Sequence, residues 1–199
     1  MSKRLTSFDQ IQPPIRLALF DLGGVVFSFD RGLEALAQKV NKPLPEVKAY
    51  WLSRDDDICR GVLAPQQFYK DLASQFHVED HDMDFLQFWT SRFRSNTETH
   101  QAMRDVQSRG VGLGILTNIY PGVFSIAVGL GVIPDLDYAV VVQSCDLGIV
   151  KPDPQIFNHA LRLAGVSPEQ VVLIDDRAEN TEAVEALGWN SLPFPPSRN

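Results

Sequence analysis

Six polar residues that suit phosphoryl transfer follow four short apolar segments of this sequence. They are Asp21, Thr117 and Asn118, Lys151, and the adjacent pair Asp175 and Asp176. Together they offer a carboxylate nucleophile, oxygen ligands for a hard cation, and donors for the oxygens of a phosphoryl group. These residue types predict phosphoryl transfer if the fold brings the four positions to one place.

Each position has a distinct chemical use. Mg²⁺ prefers carboxylate and water oxygens, so Asp21 and the paired acids are candidate ligands, and the cation would offset repulsion between the nucleophile and an anionic substrate. Lys151 adds positive charge that keeps the carboxylates ionised and stabilises the transferred group. Thr117 and Asn118 are candidate donors of directional hydrogen bonds to phosphate. We therefore predict Mg²⁺ as the cofactor.

The elements that must position these residues are predicted from hydrophobic patterning. Compact apolar runs cover Ile15 to Phe20, Gly112 to Leu116, Tyr138 to Val142 and Val171 to Ile174. Helical patterns between and after the last three runs cover Val123 to Leu130, Gln155 to Ala164 and Ala178 to Leu187. This alternation predicts a parallel sheet with helices on both faces. Ligands of such sheets bind beyond the carboxyl ends of the strands, where all six polar residues lie.

The interval from about Phe29 to Asn96 contains amphipathic patterns but no convincing buried strand, which predicts a helical insertion. Its candidate helices are Arg31 to Val40, Pro45 to Leu52, Pro65 to Phe76 and Met83 to Phe93. A further helix at Gln101 to Arg109 would return the chain to the core, and Ser191 to Asn199 would end it as a short strand and tail. We predict a core of residues 1–28 and 97–199 and a helical cap of residues 29–96.

In this order, the segments FDLGGVV, ILTN, VVQSCDLGIVKPDP and LIDDRAEN resemble the four motifs of the haloacid dehalogenase (HAD) superfamily. The resemblance implies an α/β fold, a three-layer Rossmann-like core with a small helical cap that closes over the substrate. It also implies an aspartyl-phosphate intermediate at Asp21 and phosphate contacts from Thr117 and Lys151. Magnesium ligation would come from Asp21, the backbone carbonyl of Gly23 and the acids of the fourth motif, of which Asp176 is the stronger candidate.

Gly23 departs from the pattern of active phosphatases in the superfamily, which usually carry a second aspartate two residues after the nucleophile. Loss of such a general acid-base group costs about 10²- to 10⁴-fold in rate. The FDLGxV-type first motif is similar to that of the glucose-1-phosphatase branch, so we predict a phosphomonoesterase. Asp30 is either a substitute acid near the cap entrance or a charged hinge residue, and we favour the hinge.

Three other functions agree with part of this pattern. A catalytically weak relative would bind a phosphometabolite or a protein partner, and turnover with magnesium would exclude it. A 2-haloacid dehalogenase also lacks the second aspartate, but it dispenses with the metal, and Asp175 and Asp176 would then repel a haloacid carboxylate. A phosphomutase depends on acid-base catalysis, so Gly23 disfavours it.

Substrate selection is predicted to lie in the cap. The visible candidates are Trp51, Arg54, Arg60 and the run Asp55 to Asp57. The arginines would pair with a substrate anion or form a solvated ion-pair network with the nearby acids, and we favour the network. By analogy with the family, a small cap favours a small phosphorylated metabolite, either a sugar phosphate or a nucleotide.

Charge, apolar runs and cysteine spacing narrow the possible binding partners and the cellular location of the protein. A net charge of -7 disfavours nucleic-acid binding, which depends on clustered Lys and Arg. No apolar run approaches the ~20 residues of a membrane span, and the first residues lack the apolar stretch of a signal peptide, so we predict a cytoplasmic protein. Cys59 and Cys145 match no metal or redox spacing. The sequence does not indicate whether the protein is a monomer or a homodimer.

Overall fold

A computed structural model describes residues 3–80 and 82–194 of the chain, which form seven strands and ten α-helices. The strands are β1 (Leu17–Phe20), β2 (Phe27–Ser28), β3 (Arg94–Ser95), β4 (Gly112–Thr117), β5 (Tyr138–Gln143), β6 (Val171–Asp175) and β7 (Asn190–Pro193). The helices are α1 (Asp30–Lys39), α2 (Leu44–Leu52), α3 (Asp55–Cys59), α4 (Pro65–Gln75), α5 (Phe85–Thr90), α6 (Thr97–Ser108), α7 (Val123–Gly129), α8 (Ser144–Leu147), α9 (Pro154–Ala164) and α10 (Ala178–Ala186).

Five strands form one parallel sheet in the order β5-β4-β1-β6-β7. β1 lies at its centre, with Phe20 in register with Ile115 of β4 and Ile174 of β6. From β1 the chain builds outward through β4 and β5, and then continues on the other side with β6 and β7. The winding therefore reverses at β1, the position at which open α/β sheets bind their ligands. The predicted α/β fold with a Rossmann-like parallel sheet is confirmed.

Burial along the strands follows their places in the sheet. β1, which has a neighbour on each side, is buried at every residue, as its continuous apolar sequence predicts. β5 is an edge strand and alternates between buried and exposed residues, with Val141 36% exposed. β7 adds the strand predicted near Ser191, whereas the tail predicted beyond it at residues 195–199 lies outside the described residues.

Helices α1 to α5 all lie in the interval between β2 and β3, which pair antiparallel and bring the two ends of this interval together. Two-residue strands are too short to give a sequence pattern, so β2 and β3 were not predicted. The same holds for the short helices α3 and α8. Aromatic rings fill the interior of the interval: Phe85 packs against Phe68 with centroids 5.4 Å apart and against Trp89 at 5.7 Å.

Two helix boundaries differ from prediction for local reasons. α5 begins at Phe85 rather than Met83 because the Asp84 carboxylate accepts a hydrogen bond from the backbone N–H of Gln87 and so caps the helix. α6 begins at Thr97, four residues before the predicted start, because Asn96 caps the backbone N–H of Thr99 in the same way. In the part of the chain that the structure describes, no helix combines the length and apolarity needed to cross a membrane.

Candidate active site

The ends of β1, β4 and β6 place their polar residues side by side. Asp21 directly follows β1, and its backbone N–H donates a 2.9 Å hydrogen bond to the carbonyl of Ile174 on β6. Thr117 and Asp175 are the last residues of β4 and β6. A cavity of about 680 Å³ opens at this edge, with walls from the strand ends and from the helical interval. It is lined by Asp21, Gly23, Thr117, Asn118, Lys151 and Asp176, which are all the predicted site residues except the buried Asp175.

Lys151 is a buried cation held between two carboxylates. Its ammonium nitrogen lies 2.6 Å from Asp175 Oδ2 and 3.1 Å from Asp21 Oδ1. Burial alone would lower the pKa of Lys151, but the charges of Asp175 and Asp21 outweigh burial, so the pKa is raised. Lys151 is therefore a permanently charged group beside Asp21.

Asp21 is a buried carboxylate whose ionisation costs free energy without a cation. Burial raises its pKa to about 6; Lys151 opposes this shift, and the charges of Asp175 and Asp176 add to it. One lysine therefore does not fully compensate the cluster of acids. A divalent cation would supply the missing positive charge.

The two adjacent aspartates of the fourth motif have different surroundings. Besides Lys151, Asp175 accepts hydrogen bonds from the backbone N–H of Arg177 at 2.9 Å and from the Asn180 amide at 2.9 and 3.1 Å. Its oxygens are therefore engaged by protein donors. The half-buried Asp176 instead lines the cavity, and burial and the charge of Asp175 raise its pKa.

The turn after Asp21 is shaped to let Asp176 approach. Gly24 has a φ of +80°, a conformation that favours glycine, and a Cβ atom at this position would lie 2.1 Å from Asp176 Oδ2. Only a residue without a side chain allows the carboxylate to come this close. The sequence FDLGG therefore positions both Asp21 and a neighbouring carboxylate.

The donor set fits a hard divalent cation. One carboxylate oxygen from each of Asp21, Asp175 and Asp176 lies within 4.8 Å of the others. Asn180 lines the same cavity, and its buried carbonyl oxygen Oδ1 has no hydrogen-bond partner among the described residues. Oxygen atoms of this kind are what Mg²⁺ prefers. Gly23 also lines the cavity, and its backbone carbonyl stays a predicted ligand.

Thr117 and Asn118 have different environments. Thr117 lines the cavity, and among the described residues its hydroxyl has only a long contact, 3.5 Å, to the Asn118 carbonyl. The Asn118 side chain instead pairs with the backbone of Lys151, accepting from its N–H at 2.8 Å and donating to its carbonyl at 3.0 Å. Thr117 is thus free to donate to phosphate, whereas the Asn118 side chain, predicted to do the same, holds the Lys151 segment in place.

A hydrogen-bonded group in the cavity lining joins the helical interval to the loop after β4. The Trp51 indole N–H donates to the Tyr120 hydroxyl, and Tyr120 donates to Asp55 Oδ1 at 2.6 Å. All three residues line the cavity. Burial raises the pKa of Tyr120 well above its usual value, and burial also raises the pKa of Asp55.

Other residues singled out in the sequence lie elsewhere or have other partners. Arg60 forms an ion pair with Asp56 at 2.7 Å, as the network interpretation predicts. Arg54 is exposed and has no ion pair within the described part of the chain. Asp30 is exposed at the start of α1 and accepts a hydrogen bond from the Ser28 hydroxyl, outside the cavity lining. Its placement argues against a substitute acid at this position.

Three residues of the site were not predicted from the sequence. Asn180 follows Asp175 by five residues, a spacing that places it on the first turn of α10, facing back to the strand end. Tyr120 lies two residues after the second motif, but nothing in the sequence around a single tyrosine indicates that its hydrogen-bond partner is Asp55. Phe29 lies against Gly23, and this contact depends on the geometry of the turn, which the sequence does not reveal.

Comparison with known proteins agrees with this geometry. Residues 15–188 match the family described as haloacid dehalogenase-like hydrolase. Sesquiterpene phosphatase astK of Aspergillus oryzae is 24% identical over 179 residues, covering 89% of this chain and 88% of that protein. Acyl-CoA dehydrogenase family member 10 of Mus musculus is 26% identical over 193 residues, covering 89% of this chain, and the chain spans 18% of that protein's length.

A solved structure shares the fold. A HAD family enzyme from Bacteroides thetaiotaomicron, in complex with magnesium and inorganic phosphate, has a TM-score of 0.77 at 17% sequence identity and covers 93% of this chain and 96% of that one. The phosphatase relative, matched along most of its length, supports phosphatase activity. The family match covers four of the five strands of the parallel sheet and the helical interval. This chain is a hydrolase and belongs to the haloacid dehalogenase-like hydrolase family.

Proposed function

We propose that this protein is a magnesium-dependent phosphomonoester hydrolase that forms an aspartyl-phosphate at Asp21. The observation that carries the proposal is the close approach of charged side chains at the ends of the central strands. There a buried carboxylate lies 3.1 Å from the ammonium group of Lys151, and its oxygens lie close to those of Asp175 and Asp176. A cluster of three acids would repel a phosphate without a cation, and it would equally repel a haloacid carboxylate.

The chain's own residues have separable tasks in this reaction. The Asp21 carboxylate attacks phosphorus, and the leaving oxygen departs on the opposite side. Lys151 and the Thr117 hydroxyl hold the phosphoryl oxygens, where negative charge is spread in the transition state. Water then attacks phosphorus, which releases inorganic phosphate and restores the Asp21 carboxylate.

Magnesium would be held by Asp21 and Asp176, with Asp175 and the Gly23 carbonyl as further candidates. When bound, the cation neutralises charge on the phosphoryl group and on the attacking carboxylate. Asp175 also anchors Lys151 and the start of α10 through its hydrogen bonds. This division of labour makes Asp176 the ligand whose removal most selectively weakens metal binding.

The walls of the cavity favour a phosphate ester with an apolar organic group. Four aromatic residues lie next to one another there, with ring centroids of Phe29 and Trp51 5.7 Å apart and those of Trp89 and Phe93 5.9 Å apart. Leu52, which is 56% exposed, extends this apolar surface. Burying each methylene group against such walls contributes roughly 0.8 kcal/mol.

The charged residues of the cavity give no support for a second anionic group on the substrate. Three cationic residues line it, and each is already paired: Lys151 with Asp21 and Asp175, Arg60 with Asp56, and Arg177 with Glu179 at 2.6 Å. The sugar phosphate or nucleotide predicted from the small cap therefore fits the walls less well. The phosphatase relative named for sesquiterpenes supports an apolar ester.

Phosphate release from a panel of esters tests this function. The panel contains linear alkyl phosphates of increasing length, hexose phosphates, nucleoside monophosphates and an activated aryl phosphate, each with magnesium or EDTA. We expect magnesium-dependent turnover, with kcat/KM rising about 4-fold per added methylene until the cavity is filled. Hexose phosphates and nucleotides should be the poorer substrates.

Two variants serve as the matched pair for this assay. Asp21→Asn removes the nucleophile and should abolish turnover of every ester, whereas Asp30→Asn removes an exposed carboxylate outside the cavity and should leave turnover unchanged. Turnover that survives Asp21→Asn would overturn the proposed nucleophile. Absence of turnover across the panel would instead support a catalytically weak, binding relative.

A further inference from the structure

Position 23, in the turn after the nucleophile, is a glycine and carries no proton donor. A Cβ atom added to Gly23 would lie 3.2 Å from the Phe29 ring, a close contact that the ring would have to relieve by moving a few tenths of an ångström. Phe29 is itself packed against Trp51 and Phe93, with centroid distances of 5.7 and 6.4 Å. An aromatic ring thus crowds the position of the usual acid, and a proton for the leaving oxygen must come from another element.

Asp55, the first residue of α3, is a carboxylic acid that lines the same cavity as Asp21. It is held in place by the Tyr120 hydroxyl, which donates to its Oδ1 at 2.6 Å and is itself held by Trp51. Its other oxygen, Oδ2, accepts no hydrogen bond from the residues that the structure describes. One oxygen is therefore fixed by the protein, and the other is available to a bound molecule.

We propose that Asp55 is the general acid-base group of this enzyme, supplying from the helical interval the proton that position 23 does not supply. The assignment rests on the phosphatase function proposed above. The two residues act on different atoms: Asp55 acts on the leaving oxygen and on water, whereas Asp21 acts on phosphorus.

The proton transfers balance over one turnover. As the bond from Asp21 to phosphorus forms and the bond from phosphorus to the leaving oxygen breaks, protonated Asp55 gives its proton to that oxygen, and the alcohol is released. The Asp55 carboxylate then takes a proton from water while the water oxygen attacks phosphorus. The bond from Asp21 to phosphorus breaks, inorganic phosphate leaves, and Asp55 is protonated again.

The surroundings of Asp55 suit a group that must carry a proton. Burial raises its pKa and the charge of Asp56 adds to this, whereas the hydrogen bond from Tyr120 and the charge of Arg177 oppose it. The Cys59 thiol also lies beside it, 4.0 Å from Oδ1, and burial keeps that thiol protonated by raising its pKa. Efficient acid-base groups have a pKa displaced toward the working pH in this way.

Leaving-group dependence tests the assignment, because only a poor leaving group needs a proton. In Asp55→Asn we expect kcat/KM for a linear alkyl phosphate to fall about 10²- to 10³-fold, and kcat/KM for an activated aryl phosphate to fall less than about 3-fold. The pH profile of alkyl phosphate hydrolysis should lose the limb that reports the acid. Asp57→Asn is the matched control, since Asp57 is an exposed neighbour on α3 outside the cavity lining.

The outcomes separate this inference from the proposed function. Equal losses for both esters in Asp55→Asn would show that Asp55 only holds α3 against Tyr120, and no loss would show that it does not act; either result overturns the assignment. Thermal unfolding of each variant in EDTA identifies a folding defect independently of turnover. Loss of all turnover in Asp21→Asn with an unchanged ester ratio in Asp55→Asn would keep the phosphatase and reject the acid.

Discussion

At the scale of single residues, the identity of a side chain does not determine its task. Asp175 and Asp176 are the same residue type at adjacent positions, yet one is buried among protein donors and the other lines the cavity beside Gly24. A buried carboxylate with four donor contacts organises the structure, whereas a half-buried carboxylate with few contacts is available to a cation. Substitutions of Asp175 and Asp176 can therefore separate the structural role from the metal-binding role.

Substituting each aspartate by asparagine should give opposite patterns. Asp176→Asn should weaken magnesium binding by at least about 10-fold while leaving unfolding in EDTA little changed. Asp175→Asn leaves the Lys151 ammonium buried with one carboxylate fewer, and should lower the free energy of unfolding by about 3 to 5 kcal/mol. Magnesium titration by calorimetry and urea unfolding in EDTA provide the two measurements. Equal effects of both changes on stability would contradict the assigned roles.

At the scale of elements, short segments join the helical interval to the sheet. Tyr120 donates to Asp55 at the start of α3, and the Ser144 hydroxyl at the start of α8 donates to the Cys59 carbonyl at the end of α3 at 2.6 Å. Gly61 lies two residues after the end of α3, with a φ of +69°, and a Cβ there would lie 2.8 Å from the Cys145 carbonyl. Close backbone approach thus fixes the helix that carries Asp55.

Replacing Gly61 by alanine should disturb this contact. Gly131 has nearly the same φ, +70°, but no atom lies within 4 Å of a Cβ added there, so Gly131→Ala is the matched control for backbone strain alone. We expect Gly131→Ala to cost about 1 to 2 kcal/mol in unfolding free energy, and Gly61→Ala to cost more and also to lower kcat/KM. Equal losses in stability and unchanged kinetics would show that the contact does not matter.

The sequence predicted elements with strong patterns and missed those defined by contacts. β1, β4 and β6 are continuous apolar runs, so their type and the polar residues at their ends followed from periodicity. α3, α8, β2 and β3 are two to five residues long and carry no periodic signal. The Asn118 pairing with Lys151 joins residues 33 positions apart, and such a partner is known only once the fold is known.

At the scale of the whole molecule, one cluster of acids couples metal, pH and stability. Asp21 has a pKa of about 6, well above its usual 3.8, so the folded protein binds this proton more tightly than the unfolded chain. Stability from this group is therefore present at low pH and is lost as pH rises from about 4 through 6. A cation that binds the ionised acids would restore it.

The difference in stability between wild type and Asp21→Asn should isolate this effect. In EDTA the two proteins should unfold with similar free energies near pH 4, and Asp21→Asn should be more stable by on the order of 2 to 3 kcal/mol at pH 7. Titrating groups outside this cluster cancel in the difference. Urea unfolding across this pH range gives the result, and a difference that does not change with pH would contradict the raised pKa of Asp21.

The central claim is that Asp21 carries the phosphoryl group during turnover, and trapping this intermediate tests it most directly. The protein is mixed with an activated aryl phosphate and magnesium, quenched in acid within one turnover, and digested for mass spectrometry. We expect the mass of one phosphoryl group on the peptide that contains Asp21 in wild type, and no such addition in Asp21→Asn or in EDTA. Turnover with magnesium but no phosphorylated peptide, or a phosphoryl group on another residue, would contradict the account.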